Sequence, residues 1–188
     1  MHVTSEGKQA ELILGPSALR DQLQELTETR DVSRHPILLA QLTKRLPNSI
    51  KCLSASSGHL RYNCVMYALG IRDSAEYVRM AMQCPEHVHA STSFLRFLID
   101  EQESIIVSAP STGDMGVYFA GDTVKHVGRV MAGGRIHSKW GIGHLYEHST
   151  EEAPSSYGST VRFYNPIDPP TALEQFARFA ASHGVGLR

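Results

Sequence analysis

Apolar residues in the first part of the chain recur at the three- and four-residue spacing of one helix face. Between residues 16 and 31 this spacing places three leucines together, and Pro16 stands near the start, where a helix tolerates proline. Residues 36–46 repeat the pattern and end before Pro47, which cannot continue a helix. The pattern therefore predicts two amphipathic helices, at 16–31 (Leu19, Leu23 and Leu26) and at 36–46 (Ile37, Leu38, Leu42 and Leu46).

A further helix is predicted at residues 63–70, where the sequence reads Asn-Cys-Val-Met-Tyr-Ala-Leu-Gly. Asn63 is suited to cap the first turn of this helix, and Gly70 is suited to end the last turn. The remaining segments predicted before and after it are a small, polar loop at 47–60 and helices near 73–83, 91–101 and 171–182.

After residue 103 the pattern changes to short runs rich in β-branched and aromatic residues. Turn-forming residues separate these runs, among them Gly121-Asp122 and Gly133-Gly134. Even spacing of this kind predicts an antiparallel sheet. Because helices come first and strands follow, the sequence predicts the α+β class and not an alternating α/β fold. The predicted strands are 104–108, 116–119, 125–131, 135–140, 144–147 and 160–164.

Composition narrows the function classes. Apolar residues make up 41% of the 188 and charged residues 20%, which is typical of a soluble globular chain. The net charge is −1, and a nucleic-acid partner is therefore not expected, because proteins that bind nucleic acids usually carry a basic excess. No stretch approaches the ~20 apolar residues that span a membrane, so no membrane insertion is expected.

The first residues, Met1 to Lys8, lack the basic segment and apolar run of a signal peptide. We therefore expect synthesis in the cytoplasm. If the protein acts outside the cell, a secretion system that does not read signal peptides must carry it.

Cys64 is the candidate nucleophile. The chain has three cysteines, Cys52, Cys64 and Cys84, and this odd number without framework spacing favours free thiols in a reducing compartment. Cys64 directly follows the predicted cap Asn63, so backbone N–H groups of the first helical turn are expected to lower the pKa of its thiol and to bind an oxyanion. The alternative is a buried structural cysteine.

His126 is the candidate base. It stands in Val-Lys-His-Val-Gly-Arg-Val, on a predicted strand just after the Gly121-Asp122 turn, so only tertiary folding can bring it to Cys64. A nucleophilic cysteine needs a histidine within hydrogen-bond reach. The alternative is a histidine on a strand whose ring is satisfied by a neighbour.

These elements together resemble the NlpC/P60-like branch of the papain-like cysteine peptidases. The resemblance covers roughly residues 60 to 165 and consists of three motifs in order: 63–70 around Cys64, Gly-Asp-Met-Gly-Val-Tyr-Phe at 113–119, and His-Val-Gly at 126–128. It implies a papain-like core, a peptidase or amidase, and peptidoglycan peptides as substrate. The chain departs from the family at the nucleophile, where Asn-Cys-Val replaces Asp-Cys-Ser, and this indicates a divergent member.

In the family a third polar residue on the next strand orients the base. Counting from His126 across the Gly133-Gly134 turn brings either His137 or Ser138 opposite it, and an imidazole can accept the proton of the base's Nδ1–H. Tyr62 and Tyr67, together with Asn63, are the candidates for support of the substrate or the oxyanion.

The predicted organisation is a helical N-terminal extension or subdomain at 1–58 and a papain-like catalytic domain at 59–188. In the predicted reaction His126 draws the thiol proton, and the Cys64 thiolate attacks an amide carbonyl to form an acyl-enzyme that water releases. The substrate is a peptide or peptidoglycan. The protein would serve as an antibacterial effector with a cognate inhibitor or secretion partner, or as an intracellular enzyme acting on proteins or recycled wall fragments.

Three other interpretations stay open at this stage. Cys84, His87 and His89 lie within six residues, but no companion ligand motif accompanies them, so neither a metal nor another cofactor is expected. A deamidase or acyltransferase would use the same acyl-enzyme. A non-catalytic binding module would use the scaffold alone.

Overall fold

The computed structural model describes residues 11–15, 17–54 and 62–187. Its helices match the predicted ones closely, although the predicted start at Pro16 lies outside the described residues. Ser17 caps the first helix, and its side chain accepts a hydrogen bond from the Arg20 N–H. The helices are α1 (Ala18–Glu28), α2 (His35–Arg45), α3 (Cys64–Ala68), α4 (Ala75–Ala81), α5 (Thr92–Asp100) and α6 (Pro169–Ser182).

Over the described ranges, seven antiparallel strands form one sheet in the order β1-β7-β3-β4-β5-β6-β2. The coarse prediction of an α+β fold is confirmed. The strands are β1 (Glu11–Ile13), β2 (Lys51–Ser54), β3 (Met115–Ala120), β4 (Thr123–Val130), β5 (Ile136–Lys139), β6 (Leu145–His148) and β7 (Thr160–Tyr164).

Two predicted segments differ from the structure. Residues 51–54, predicted as loop, form β2. Their local sequence does not indicate a strand, but pairing with β6 stabilises one. Residues 104–108, predicted as a strand, make a single bridge between Ile106 and Tyr164.

The N-terminal part of the chain is built into the same sheet. β1 pairs with β7 at one edge, and β2 pairs with β6 at the other. The predicted helical extension at 1–58 therefore also supplies both edge strands, and its predicted boundary falls among residues that the structure does not describe.

Each face of the sheet packs against a different set of helices. On one face Val117 and Val127 join a core with Val65 of α3, Phe94 of α5 and Phe176 of α6. On the other face the aromatic side chains of the β5–β6 half pack against the leucines of α1 and α2. That second core contains Trp140, Tyr146, Leu23, Leu26, Leu39 and Leu42.

The β4–β5 hairpin is drawn tight by a glycine. A Cβ atom on Gly128 would lie 2.5 Å from Cγ2 of Ile136 and 2.9 Å from both the His137 carbonyl oxygen and the Ser138 Cβ. Only glycine therefore permits this approach of the two strands. The turn between the strands also depends on glycine, since Gly133 and Gly134 both have φ of 72°.

We expect Gly128→Ala to lower the free energy of unfolding by about 1–3 kcal/mol, because the added methyl group overpacks the strand contact. Gly186→Ala is the matched control, since a Cβ there meets nothing within 4 Å. Urea denaturation measures both changes, and equal midpoints for the two variants would contradict this account of the hairpin.

Candidate functional site

Asn63 caps α3, as predicted. Its side-chain oxygen accepts a hydrogen bond from the Met66 N–H at 2.9 Å, and its amide donates to the Ala90 carbonyl oxygen at 2.7 Å. Both ends of the side chain are thus used inside the protein. The cap fixes the backbone at Cys64, the first residue of the helix.

Cys64 lies where β4 and β5 part. The N–H groups of successive strand residues point to opposite neighbours, and the Val130 N–H bonds to Asp114 on the β3 side. The Val127 N–H therefore points toward β5, but the β4–β5 pairing ends at the Arg129–His137 pair. This N–H instead lies close enough to the Cys64 thiol to favour its ionised form and so to lower its pKa.

The electrostatics of Cys64 differ from the prediction. Burial raises the pKa of the Cys64 thiol, and this effect exceeds the opposing effects of the Val127, Val65 and Cys64 N–H groups and of the Lys139 charge. The expected lowering of the pKa was wrong because removal of the thiolate from water outweighs the N–H groups at the start of the helix. Cys64 as a residue still keeps part of its surface exposed.

His126 lies on the opposite face of β4. Its ring stacks on Tyr157 with centroids 3.8 Å apart and also contacts Tyr118, its cross-strand partner. The next residue, Val127, belongs to the core that contacts α3 and Cys64. Since successive side chains point to opposite faces of a sheet, the structure does not join the predicted pair, and among the described residues no hydrogen bond links Cys64 to His126.

The His126 ring is nearly inaccessible, with 2% of its residue surface exposed. Its Nε2 atom is buried and has no hydrogen-bond partner among the residues that the structure describes. Burial, with a smaller contribution from His148, lowers the pKa of His126 well below 6.5, so the ring is neutral at neutral pH.

The predicted register of the third residue was wrong. His137 pairs with Arg129, and Ile136 pairs with Val130, so neither His137 nor Ser138 lies opposite His126. These pairs place the middle of the hairpin within the turn at 132–134. His137 therefore lies opposite Arg129, three residues along β4 from His126, and Ser138 is also shifted away from His126.

The two candidates also have other partners. His137 Nε2 lies 3.1 Å from Oε2 of Glu147, on the neighbouring strand. The Ser138 hydroxyl is fully buried and lies 2.8 Å from Nε2 of His148, while the Trp140 indole N–H donates to it at 2.9 Å. His148 Nδ1 lies 2.7 Å from the Ser149 carbonyl oxygen, so Nδ1 carries the proton and Ser138 donates to Nε2.

The two tyrosines form a platform beside Cys64. The rings of Tyr62 and Tyr67 lie 6.4 Å apart, and the Arg72 guanidinium lies 5.5 and 5.6 Å from their centroids. The Lys139 ammonium lies 5.4 Å from the centroid of the Tyr62 ring. Positive charge therefore lies next to both rings.

Lys139 and Arg72 are the members of this site that the sequence prediction missed. Strand alternation places Lys139 on the same face as His137, and a lysine beside tryptophan in a buried strand was the available signal. Arg72 carries no such signal, since it follows α3 in a turn and pairs with the adjacent Asp73 at 3.0 Å.

In the described ranges, no group of three or more histidine, cysteine, aspartate and glutamate side chains is arranged to hold a metal ion. Within the same ranges, none of the helices has the length and apolar character needed to cross a bilayer.

Comparison with known families places the chain. Residues 54–165, more than half of the chain, match the family described as a domain of unknown function (DUF7689). The chain belongs to this family. The match runs from the end of β2 through β7, so the DUF7689 segment contains Cys64, His126 and Lys139 together. No curated protein and no solved structure matches the chain.

We expect stability to fall as the pH is lowered from 7 to 4. An unfolded histidine takes up a proton near pH 6.5, whereas burial lowers the pKa of His148 to about 4 and that of His126 well below 6.5. Below pH 6.5 the unfolded state therefore binds more protons, and for His148 alone the loss by pH 4 is on the order of 3 kcal/mol.

Urea denaturation at pH 7, 6, 5 and 4 measures this loss. His126→Phe keeps a stacking ring and removes one titrating group, so its midpoint should depend less on pH than that of the wild type. His87→Phe, at an exposed position, is the control. A wild-type midpoint that stays constant over this range would contradict the burial of neutral histidines.

Proposed function

We propose that this DUF7689 protein is a cysteine-dependent amide hydrolase with Cys64 as the nucleophile. The observation that carries the proposal is the position of the Cys64 thiol, at the start of α3 and beside the gap between β4 and β5. There the N–H groups of Val127, Val65 and Cys64 favour its ionised form. Donors of this kind stabilise negative charge, whether on a thiolate or on the oxygen of a tetrahedral intermediate.

The proposed reaction begins from a protonated thiol, because burial raises the pKa of Cys64. A base removes the proton as the sulfur attacks the amide carbonyl, and the C–S bond forms while the carbonyl oxygen takes the negative charge. Collapse of this intermediate breaks the C–N bond and returns the proton to the leaving amine. Water then attacks the thioester and frees the acid and the thiol.

The sequence pattern predicts His126 as the base. Its neutral ring and unpartnered Nε2 are suited to accept a proton. Its position on the far face of β4, stacked on Tyr157, argues against a direct transfer from Cys64. The identity of the base is therefore a separate question from the identity of the nucleophile.

The proposed substrates are amide bonds of peptides, with peptidoglycan stem peptides first among them. The support is the order of three motifs resembling NlpC/P60 peptidases, which lie on α3, β3 and β4, with α3 packed against β4. On this basis we propose a papain-like core for residues 59–188. A role as an exported antibacterial effector with a cognate inhibitor, or as an intracellular amidase, follows from the same proposal.

Deamidation or acyl transfer on the same thioester is the alternative that changes only the acceptor. A non-catalytic binding module is the second alternative, and a specific observation favours it. The thiol of Cys64 is protonated at neutral pH, and the predicted base lies on the other face of the sheet.

We expect p-nitrophenyl acetate to transfer its acetyl group to Cys64. After an acid quench, peptide mass spectrometry detects the acetyl group as a mass increase of about 42 Da on the peptide that contains Cys64. The partly exposed thiols of Cys52 and Cys84 are internal references, and Cys64→Ala should abolish the site-specific adduct. Cys52→Ala and Cys84→Ala should leave it unchanged.

The same variants are then incubated with peptidoglycan stem peptides and with a protein substrate mixture. Loss of amide cleavage in Cys64→Ala alone supports the hydrolase. If the three thiols acquire the acetyl group at equal rates and no amide is cleaved, the hydrolase proposal fails and the binding module gains.

A further inference from the structure

Lys139 shares with Cys64 the gap between β4 and β5. It ends β5, and its residue surface is only 4% exposed. If the register of the Arg129–His137 pair is continued by two residues on each strand, Lys139 lies opposite Val127, the residue whose N–H lowers the pKa of Cys64. The side chains of Val127 and Lys139 thus point to the face that carries α3, and α3 packs against both strands.

The ammonium group of Lys139 is held by backbone and by an aromatic ring. Nζ donates to the carbonyl oxygens of Gly141 and Gly143 and lies 5.4 Å from the Tyr62 centroid. Among the described residues no carboxylate pairs with it. Two of its three N–H positions are used, so the third holds a proton in the ammonium form and a lone pair in the amine form.

We propose that Lys139 exchanges the reacting proton with Cys64. This inference rests on the proposed function. In the forward step the Nζ lone pair takes the proton from the thiol, which leaves a thiolate beside an ammonium ion. When the tetrahedral intermediate collapses, the ammonium gives that proton to the leaving amine. The neutral amine is thereby restored, and it takes a proton from the water that attacks the thioester. When the C–S bond then breaks, the ammonium returns this proton to the sulfur, which restores the thiol and the amine.

The electrostatics of the two groups agree with this exchange. Burial lowers the pKa of Lys139 to about 8, and a charge on Cys64 raises it. In return, the Lys139 charge favours the Cys64 thiolate. A lysine in this range can lose its proton near neutral pH, as a base must. Because the amine is the active form, the acylation rate should rise as pH increases through about 8.

Other titratable and charged groups surround the pair. The loop before α3 brings Tyr62, α3 brings Tyr67, and the turn after α3 brings Arg72. Arg129 comes from β4. Tyr157, in the short 3-10 turn at 155–157, stacks on His126 but is close enough for a charge on Cys64 to raise its pKa. Burial raises the pKa values of Tyr67 and Tyr157, so both stay neutral where Lys139 titrates.

A purely structural role for Lys139 is the competing explanation, since its bonds to Gly141 and Gly143 also anchor the turn between β5 and β6. The two explanations differ in the pH dependence of the Cys64 thiol, which a turn anchor alone would not change. Arginine separates the charge from the proton exchange, because a guanidinium keeps its charge but does not give up its proton.

The experiment measures alkylation of Cys64 by iodoacetamide from pH 6 to 10, residue by residue, by mass spectrometry. The proteins are the wild type, Lys139→Met, Lys139→Arg and the control Lys125→Met, at an exposed position of β4. Each protein is then tested for acetyl transfer from p-nitrophenyl acetate and for cleavage of amide bonds in peptidoglycan stem peptides.

We expect Lys139→Met to slow alkylation of Cys64 by about tenfold at pH 7.5, since loss of a nearby positive charge raises a thiol pKa by roughly one unit or more. Lys139→Arg should keep both alkylation and acetyl transfer within about threefold of the wild type, because the charge remains and p-nitrophenolate leaves without a proton. It should lose cleavage of amide bonds, because a guanidinium gives no proton to the leaving amine. Lys125→Met should match the wild type in all three assays.

Coincident alkylation profiles for folded Lys139→Met and the wild type would overturn the role of Lys139 while leaving Cys64 as the nucleophile. Failure of wild-type Cys64 to accept acetyl would instead overturn the proposed function. If Lys139→Met does not fold, the titration of Lys139 is followed by NMR in wild type and Cys64→Ala. A shift of that titration to lower pH in Cys64→Ala supports the pair, and an unchanged titration overturns it.

Discussion

The end of pairing between β4 and β5 is the constraint on which the site depends. After Arg129 and His137 the two strands part, and the Val127 N–H is left without a carbonyl partner on β5. A buried N–H without a partner costs free energy comparable to a lost hydrogen bond, so this gap requires an acceptor. The Cys64 thiol is close enough to this N–H for the N–H to lower its pKa, and α3, which carries the thiol, packs against both strands.

The opposite face of the same strands is organised by a different rule. There the polar side chains of Ser138 and His148 and the indole of Trp140 bond to one another within an apolar layer. Such a network must be closed to be tolerated, and its hydrogen bonds are internally satisfied. His126 lies on this side, and one of its ring nitrogens has no hydrogen-bond partner within the described part of the chain. The face of α1 and α2 thus holds the closed polar network and His126, whereas the face of α3 holds Cys64 and the charge of Lys139.

Local signals carried most of the fold. Helix periodicity, the Asn63 cap and the run of short strands were enough to predict the elements and the α+β class. What they could not give was register, because the pairing of His137 with Arg129 depends on how the turn at 132–134 closes. An error of a few residues in that turn was enough to assign the wrong neighbour to His126.

The site was predictable only as far as it is local. Cys64 at a helix start is a local feature, and its place in the structure agrees with the pattern. The face on which His126 lies and the burial that raises the thiol pKa are tertiary properties, which depend on helices distant in sequence. Lys139 was missed for the same reason, since its relation to Cys64 exists only across the gap between two strands.

Both edges of the sheet are closed by strands from the first 54 residues, and this has a consequence for the order of folding. Glu11 on β1 contacts Arg162 on β7, and β2 pairs with β6. During synthesis these two strands leave the ribosome before β6 and β7, so they have no partners until the distant half of the sheet exists. Contacts of such long sequence separation form slowly, so the nascent chain carries two unpaired strands while the residues up to β6 and β7 are made.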